Sequence, residues 1–454
     1  MRDSILTLLV AATLPFALAH PYIGVLTWVW LSVMNPHRLT TGFAYNTPFA
    51  MVVAIVTMIG IIFTKDQRRF PLNPLTLALF LWVLWMNVTS LTALHPELIF
   101  PIWSKVMKVQ IMIFVALLVL YKREHFIWLV WVLVASVGFY GVKGGVFTLA
   151  TGGNYLVWGP DASFIADNNE MSLALVMTIP LIRYLQVTEL KNKWGKHSCT
   201  AAMVLCGFSV LGSHSRGAFL AICAMVLVLW WRSRSKALLG FGMLLVIPIA
   251  IGFMPAEWTE RMRTIKTYDE DASAMGRINA WTMTWNLAKD RPVVGGGFEI
   301  YQPDLFNKYA PNPLDIHTAH SIYFQMMGEH GFVGLALFLA MWMTTWRSAN
   351  WVRKRSKVSD EWQWSGELNG AIQVSLAGYA VGGAFVNIGY FDMPYYELVL
   401  VVLTKVWLQD QIKEKAGQAS PEGNTRRELP FVRPLGTAPG TGNLVKADGH
   451  LPRS

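Results

Sequence analysis

Long apolar stretches recur along the whole chain, each closed by a short polar or basic loop, and no soluble core can absorb so many. They run over residues 47–64, 72–94, 104–121, 126–149, 170–186, 199–213, 216–231, 237–254, 320–346, 366–390 and 395–408. A straight membrane span takes ~20 residues, so several of these are short. The pair meeting around Gly212 and Arg216 reads as two helices joined by a tight turn. Composition agrees: 54% apolar residues, 15% charged residues and twenty tryptophans describe a polytopic membrane protein with aromatic belts, not a soluble enzyme.

Charge then orients the chain. The net charge of +10 would suit nucleic acid. The cations cluster in short loops instead, which points to membrane orientation and to no nucleic-acid partner. Lys65–Arg69, Lys122-Arg123, Lys191–Lys196, Arg232–Lys236 and Arg353–Arg355 follow every second segment and are assigned to the cytoplasm. The loops at 150–169, 213–217, 255–319 and 390–395 then lie outside. The three cysteines, Cys199, Cys206 and Cys223, fall in apolar segments and read as small core residues.

The first thirty-four residues imitate a signal peptide, with Arg2, an apolar run and Ala17-Leu18-Ala19. Cleavage would conflict with the direction that segment 47–64 must take. Residues 1–34 are therefore read as uncleaved, one net crossing broken near His20-Pro21, with both chain termini cytoplasmic. The expected organisation is a transmembrane part over 1–254 with an outer loop at 150–169, a helical outer loop over 255–319, the last three spans over 320–412, and a disordered cytoplasmic tail over 413–454. That makes an all-α polytopic membrane protein of about twelve transmembrane helices.

The large outer loop has its own pattern. Glu257–Tyr268 and Ala274–Asp290 read as helices, the second with Ile278, Trp281, Trp285 and Ala288 on one apolar face. That face would lie on the membrane surface or against the transmembrane bundle. Arg291-Pro292-Val293-Val294-Gly295-Gly296-Gly297 breaks the helix, and Phe298–Lys308 forms a further short segment, so the loop reads as a lid or platform.

Ionisable residues gather at the outer face. His320 opens the span after this loop, and Arg216 and Arg277 emerge on the same side, a placement the bilayer disfavours without a task. Arg216 in Ser213-His214-Ser215-Arg216-Gly217 either snorkels to headgroups or offers a two-pronged grip on phosphate. Arg277 is either a solvated helix-end charge or part of the same grip. His320 has the imidazole of a general base. In Asp167-Asn168-Asn169-Glu170, capping accounts for Asp167 or Asn168, while Glu170 at the membrane boundary asks for more. His317 with His320 hints at a metal, but no third strong ligand has helpful spacing, so no metal is expected. His214 beside Ser215 lacks an acid partner, and Gly295-Gly296-Gly297 lacks the lysine and strand of a phosphate loop.

His320-Ser-Ile-Tyr-Phe-Gln-Met-Met-Gly-Glu329-His-Gly331-Phe-Val-Gly334 resembles the signature of the O-antigen ligase and polymerase superfamily. Ser215-Arg216-Gly217 is similar to its Ser-Arg-Gly, and Met275-Gly276-Arg277 with Trp281 and Arg291-Pro292-Val293-Val294-Gly295 to its arginine-bearing outer loop. The ordered set covers about 200–345. The amino-terminal half, with Met34-Asn35-Pro36-His37-Arg38, resembles the exosortase-associated O-glycosylation ligase branch.

The resemblance implies a C-type membrane glycosyltransferase fold (GT-C) in a Gram-negative inner membrane, with its active site facing the periplasm. It implies an undecaprenyl-pyrophosphate-linked glycan as donor, lipid A–core as acceptor, and no cofactor. Arg216 and Arg277 would grip the pyrophosphate while His320 accepts the acceptor proton in an inverting transfer. An O-antigen polymerase and a protein O-glycosyltransferase are the alternatives with the same donor. A transporter fits less well, because Lys143 is the main embedded charge and no internal repeat is visible.

Overall fold

A computed structural model describes residues 1–232, 248, 252–263 and 272–418. All the regular structure among them is helical. The expected span 237–254 and the second half of the helix expected over Glu257–Tyr268 fall largely outside the described residues, as does the tail beyond residue 418.

The chain opens with α1 (Arg2–Ala19), α2 (Pro21–Val29, extended by a π turn over Trp30–Met34) and α3 (Phe49–Phe63). These three correct the expectation of one net crossing over residues 1–34. Asp3 Oδ1 at the start of α1 accepts hydrogen bonds from Gly42 and Ala44, beyond the far end of α2. At the other end His20 lies 3.0 Å from Asp66, in the basic loop after α3. Helices α1 and α2 are therefore an antiparallel hairpin with its tip at the basic loop. The start of α1 lies at the opposite end from that loop. Arg2, part of the signal-peptide likeness, donates to the Leu39 carbonyl.

Six more helices follow: α4 (Pro74–Leu91), α5 (Phe100–Val119), α6 (Arg123–Thr151), α7 (Asn168–Tyr184), α8 (Lys193–Gly212) and α9 (Arg216–Arg232). Local chemistry sets their starts. Asn73 and Thr76 form a reciprocal capping box before α4 with Pro74 in the first turn, and Asp167 and Asn192 cap α7 and α8. After the described part of the outer loop, α10 (Ala256–Arg263), α11 (Ala272–Asp290) and α12 (Pro303–Tyr309), come α13 (Ile322–Arg355), α14 (Gln363–Gly382) and α15 (Asp392–Gln418).

Six described helices are long and apolar enough to cross a membrane, α1, α4, α5, α6, α7 and α13, the α7 span counted through Glu189. Shorter apolar helices cover 21–34, 49–63 and 216–231. Helix α7 is apolar nearly all round and buried nearly all round, the signature of a central helix. Ile59, Ile62, Phe80, Leu84, Phe139 and Phe147 point outward, as lipid-facing side chains do.

Residues Met1–Asp410 form one compact unit and Gln411–Ser454 a second. Within the first, polar contacts sort into two ends. One end joins Arg69 to Asp410 at 2.5 Å and Arg123 to Glu189 at 3.5 Å, among the basic loops. The other gathers residues 92–99, 152–167, 213–215, 291–321 and 383–391.

At that second end α13 is broken. Gly331 takes φ 71° and ψ −177°, a conformation essentially reserved for glycine. The Pro292–Gly297 loop fits into the break: Gly296 N–H and Gly297 N–H each donate at 2.8 Å to the carbonyls of Gly328 and Glu329, and Phe332 N–H donates at 2.8 Å to Pro292. The helix loses its own ladder there, and the loop supplies the missing partners. A Cβ on Gly331 would stand 2.4 Å from the Val293 carbonyl. The glycine run of the outer loop thus serves backbone docking.

Candidate functional site

Below the break lies a closed polar network. His330 is fully buried; its Nδ1 meets Thr89 Oγ1 at 2.7 Å and its Nε2 meets the Tyr390 hydroxyl at 2.6 Å. Tyr390 in turn donates a short hydrogen bond to Glu329, which also receives Gln325 at 3.5 Å. Both imidazole nitrogens are occupied, so this histidine anchors α4 and the segment before α15 to α13.

His320 is the contrast. It precedes α13 with φ 43°, a left-handed backbone uncommon for a side chain of its size. Its Nδ1 is buried without a hydrogen-bond partner and lies 3.9 Å from Glu170 Oε1. Glu170 Oε2 is likewise buried and unpartnered. Buried polar atoms without a partner are uncommon in native proteins and call for a reason. Glu170 sits in the first turn of α7, where Asp167 accepts from the Asn169 N–H and the Asn169 side chain, each at 2.8 Å. Asp167 also engages Glu170 through a side-chain hydrogen bond. Asn169 is therefore occupied with capping.

The remaining candidates converge unequally. Arg277, in the first turns of α11, is close enough for its charge to act on His320. Trp281 of the same helix stacks on Phe324 of α13, with ring centroids at 5.0 Å and planes 3° apart, and donates at 2.6 Å to the Ala319 carbonyl. Trp285 meets Phe332 edge-on. Of the two placements left open for that tryptophan face, contact with the bundle is what these pairs show. Asn168 donates at 2.6 Å to the Ser213 carbonyl and ties the α8–α9 turn to α7. His214 gives the turn a second anchor, its Nε2 2.9 Å from the Gly153 carbonyl. Ser215 Oγ accepts from the Ala218 N–H, capping α9, and Arg216 opens that helix at the same end of the molecule. His317 is half exposed and paired with Asp315 at 2.7 Å, and its ring lies against Gly276, next to Arg277. Among the described residues no group of three or more His, Cys, Asp or Glu comes together as a metal ion requires.

Electrostatics sets the proton state of His320. Burial, then the positive charge of Arg277, pull its pKa from 6.5 down to about 4, against the opposing charge of Asp167. Burial works against ionised Asp167, but hydrogen bonds from Asn169 and Glu170 outweigh it and hold that carboxyl below its usual range. Near neutral pH His320 is then a neutral imidazole beside the charge of Arg277.

Asn387, in the turn before α15, was missed in the sequence. Its side chain accepts from the Ser321 N–H at 3.3 Å, and it lies beside Glu170 and the Tyr301 hydroxyl. The polar run Asn387-Ile388-Gly389-Tyr390-Phe391-Asp392 between two apolar segments was the available signal.

Residues 201–339 match the family described as O-Antigen ligase. That stretch includes Arg216, Arg277 and His320. Residues 1–189 match a family of unknown function. Among curated proteins the chain has no significant match.

Proposed function

We propose, from the chain's place in the O-antigen ligase superfamily, that it is a membrane glycosyltransferase moving a glycan from a polyprenyl pyrophosphate to a hydroxyl acceptor. Superfamily members are ligases and polymerases of this general kind. The observation that supports the reading is His320 at this end of the molecule, its Nδ1 3.9 Å from Glu170 and Arg277 close enough for its charge to act on the ring.

The donor is undecaprenyl-pyrophosphate-linked glycan and the acceptor a sugar hydroxyl of lipid A–core, met at the periplasmic face of a Gram-negative inner membrane. The architecture is that of a C-type glycosyltransferase. Arg277 and Arg216 hold the diphosphate, whose negative charge offsets theirs and raises the basicity of His320. The acceptor oxygen attacks the anomeric carbon and its proton passes to the imidazole. The bond from that carbon to the diphosphate oxygen breaks on the opposite face, inverting configuration, and the leaving diphosphate stays paired with guanidinium. Glu170, 3.9 Å from Nδ1, orients the ring, and the charge of Asp167 steadies the imidazole once it is protonated. The scheme calls for no divalent metal.

The test supplies purified protein with lipid-linked donor and one acceptor at a time: lipid A–core, a second lipid-linked glycan, or a serine-bearing protein. Mass gain on lipid A–core is expected, in chelator as well. Gain on the second glycan or on the protein would reassign the enzyme as a polymerase or a protein glycosyltransferase. No transfer to any acceptor would defeat the reading.

A further inference from the structure

A second cationic cavity lies away from His320, between α2 and α5. It encloses about 170 Å³ and is lined by Trp28, Asn35, Lys105, Lys108 and Phe164 among others. Lys105 and Lys108 lie ~8 and ~12 Å along α5 from its first residue, at 1.5 Å per residue. Lys105 Nζ reaches the Ala162 carbonyl at 3.2 Å and sits 4.0 Å over the Phe164 ring. The charges of Asp392 and Arg38 both act on it. Arg38 stacks over Tyr45 at 4.6 Å, and Asn35, left-handed after the π turn, ties its amide to the Ser32 carbonyl at 2.6 Å.

The charge count does not balance. Asp392, 1% exposed and bonded to Ser32, is the one acid acting on Lys105. Among the described residues no carboxylate pairs with Lys108 or Arg38 within salt-bridge distance. Three cations against one buried carboxylate, on an apolar helix with aromatic walls, fit an amphiphile bearing phosphate.

We propose that this cavity is a second anion site, taking the phosphate of a membrane lipid whose tails lie along α5 in the bilayer. It shares two connecting segments with the His320 site. Residues 162–170 run from the Lys105 contact to Glu170, and residues 387–392 run from Asn387 to Asp392. A lipid held here therefore braces both segments that line the other site. The proposal is independent of glycan transfer.

The test is lipid retention by the full-length, delipidated protein in detergent, read by native mass spectrometry. The probes are phosphatidic acid, lipid A and, as a phosphate-free control, diacylglycerol. The wild type is expected to keep either phosphate-bearing lipid and not the control. Arg38→Gln with Lys108→Gln should lower retention about tenfold, the scale of one charge-assisted hydrogen bond. Lys105→Gln strands Asp392, so it is paired with Asp392→Asn and compared at equal melting temperature. His320→Ala should retain lipid like the wild type, which separates this site from the proposed chemistry. Lipid A displacing phosphatidic acid would identify an acceptor-type lipid, and equal competition would identify bulk headgroups; both support the site. Undiminished retention in both sets of charge variants, or retention of diacylglycerol equal to that of phosphatidic acid, overturns it.

Discussion

His320 and His330 stand ten residues apart in one segment and have opposite fates. His330 is fully buried with both ring nitrogens engaged, by Thr89 and by Tyr390. His320 is 28% exposed on its side chain, with Nδ1 unpartnered beside a carboxyl that also lacks a full set of partners. Identical side chains therefore do different work according to what surrounds them. A satisfied imidazole is an internal strut, and an unsatisfied one at a cationic mouth is available for chemistry.

The sharpest way to break this contrast is to remove each histidine. His320→Ala should lower glycan transfer by roughly 10²–10⁴-fold, the usual worth of a general base, with the melting temperature unchanged. His330→Ala should instead cost Thr89 and Tyr390 a buried partner each, about 3 kcal/mol in all, showing as a lower melting temperature. If the two variants lose activity and stability in equal measure, the division between chemistry and scaffold is wrong.

A smaller effect separates the outer-loop joint from both histidines. Gly331→Ala forces a side chain into φ 71° and against the Val293 carbonyl, and should destabilise by about 2 kcal/mol. Thermal melts of the variant beside Gly328→Ala, where the Cβ would meet only side chains, would show whether the backbone clash governs.

The finest test is titration. With the folded-state pKa of His320 near 4, the acid limb of kcat/KM should fall near pH 4. Arg277→Gln removes a charge that lowers this pKa, so the limb should move upward, though not back to 6.5, because burial is the larger cause. Stability follows the same sign. As pH falls below 6.5 the unfolded chain takes up a proton that folded His320 refuses until about 4, so the native state weakens across that window. A limb in Arg277→Gln that stays put or moves down would show that Arg277 does not act on His320.

Much of the fold was legible because apolarity and caps are local. Asn73-Pro74 and Asp167 start their helices where the sequence changes character, and basic loops alternate with the spans. The α1–α2 hairpin was not legible, because the contacts that close it, Asp3 with residues 42 and 44 and His20 with Asp66, join positions far apart in the chain. His320, Arg216 and Arg277 stood out as charges at span ends. Asn387 and Tyr390 did not, since their roles rest on contacts sixty or more residues away, with Ser321 and His330. The glycine run was misleading for the same reason: its partner, the break at Gly331, lies more than thirty positions downstream.

The splice between Pro292–Gly297 and the gap in α13 has a mechanical corollary. A flap hinged there would have to surrender three main-chain hydrogen bonds at once, so this part of the roof is a rivet. On the proposed function, entry of a lipid-linked substrate would then not be gated by this loop.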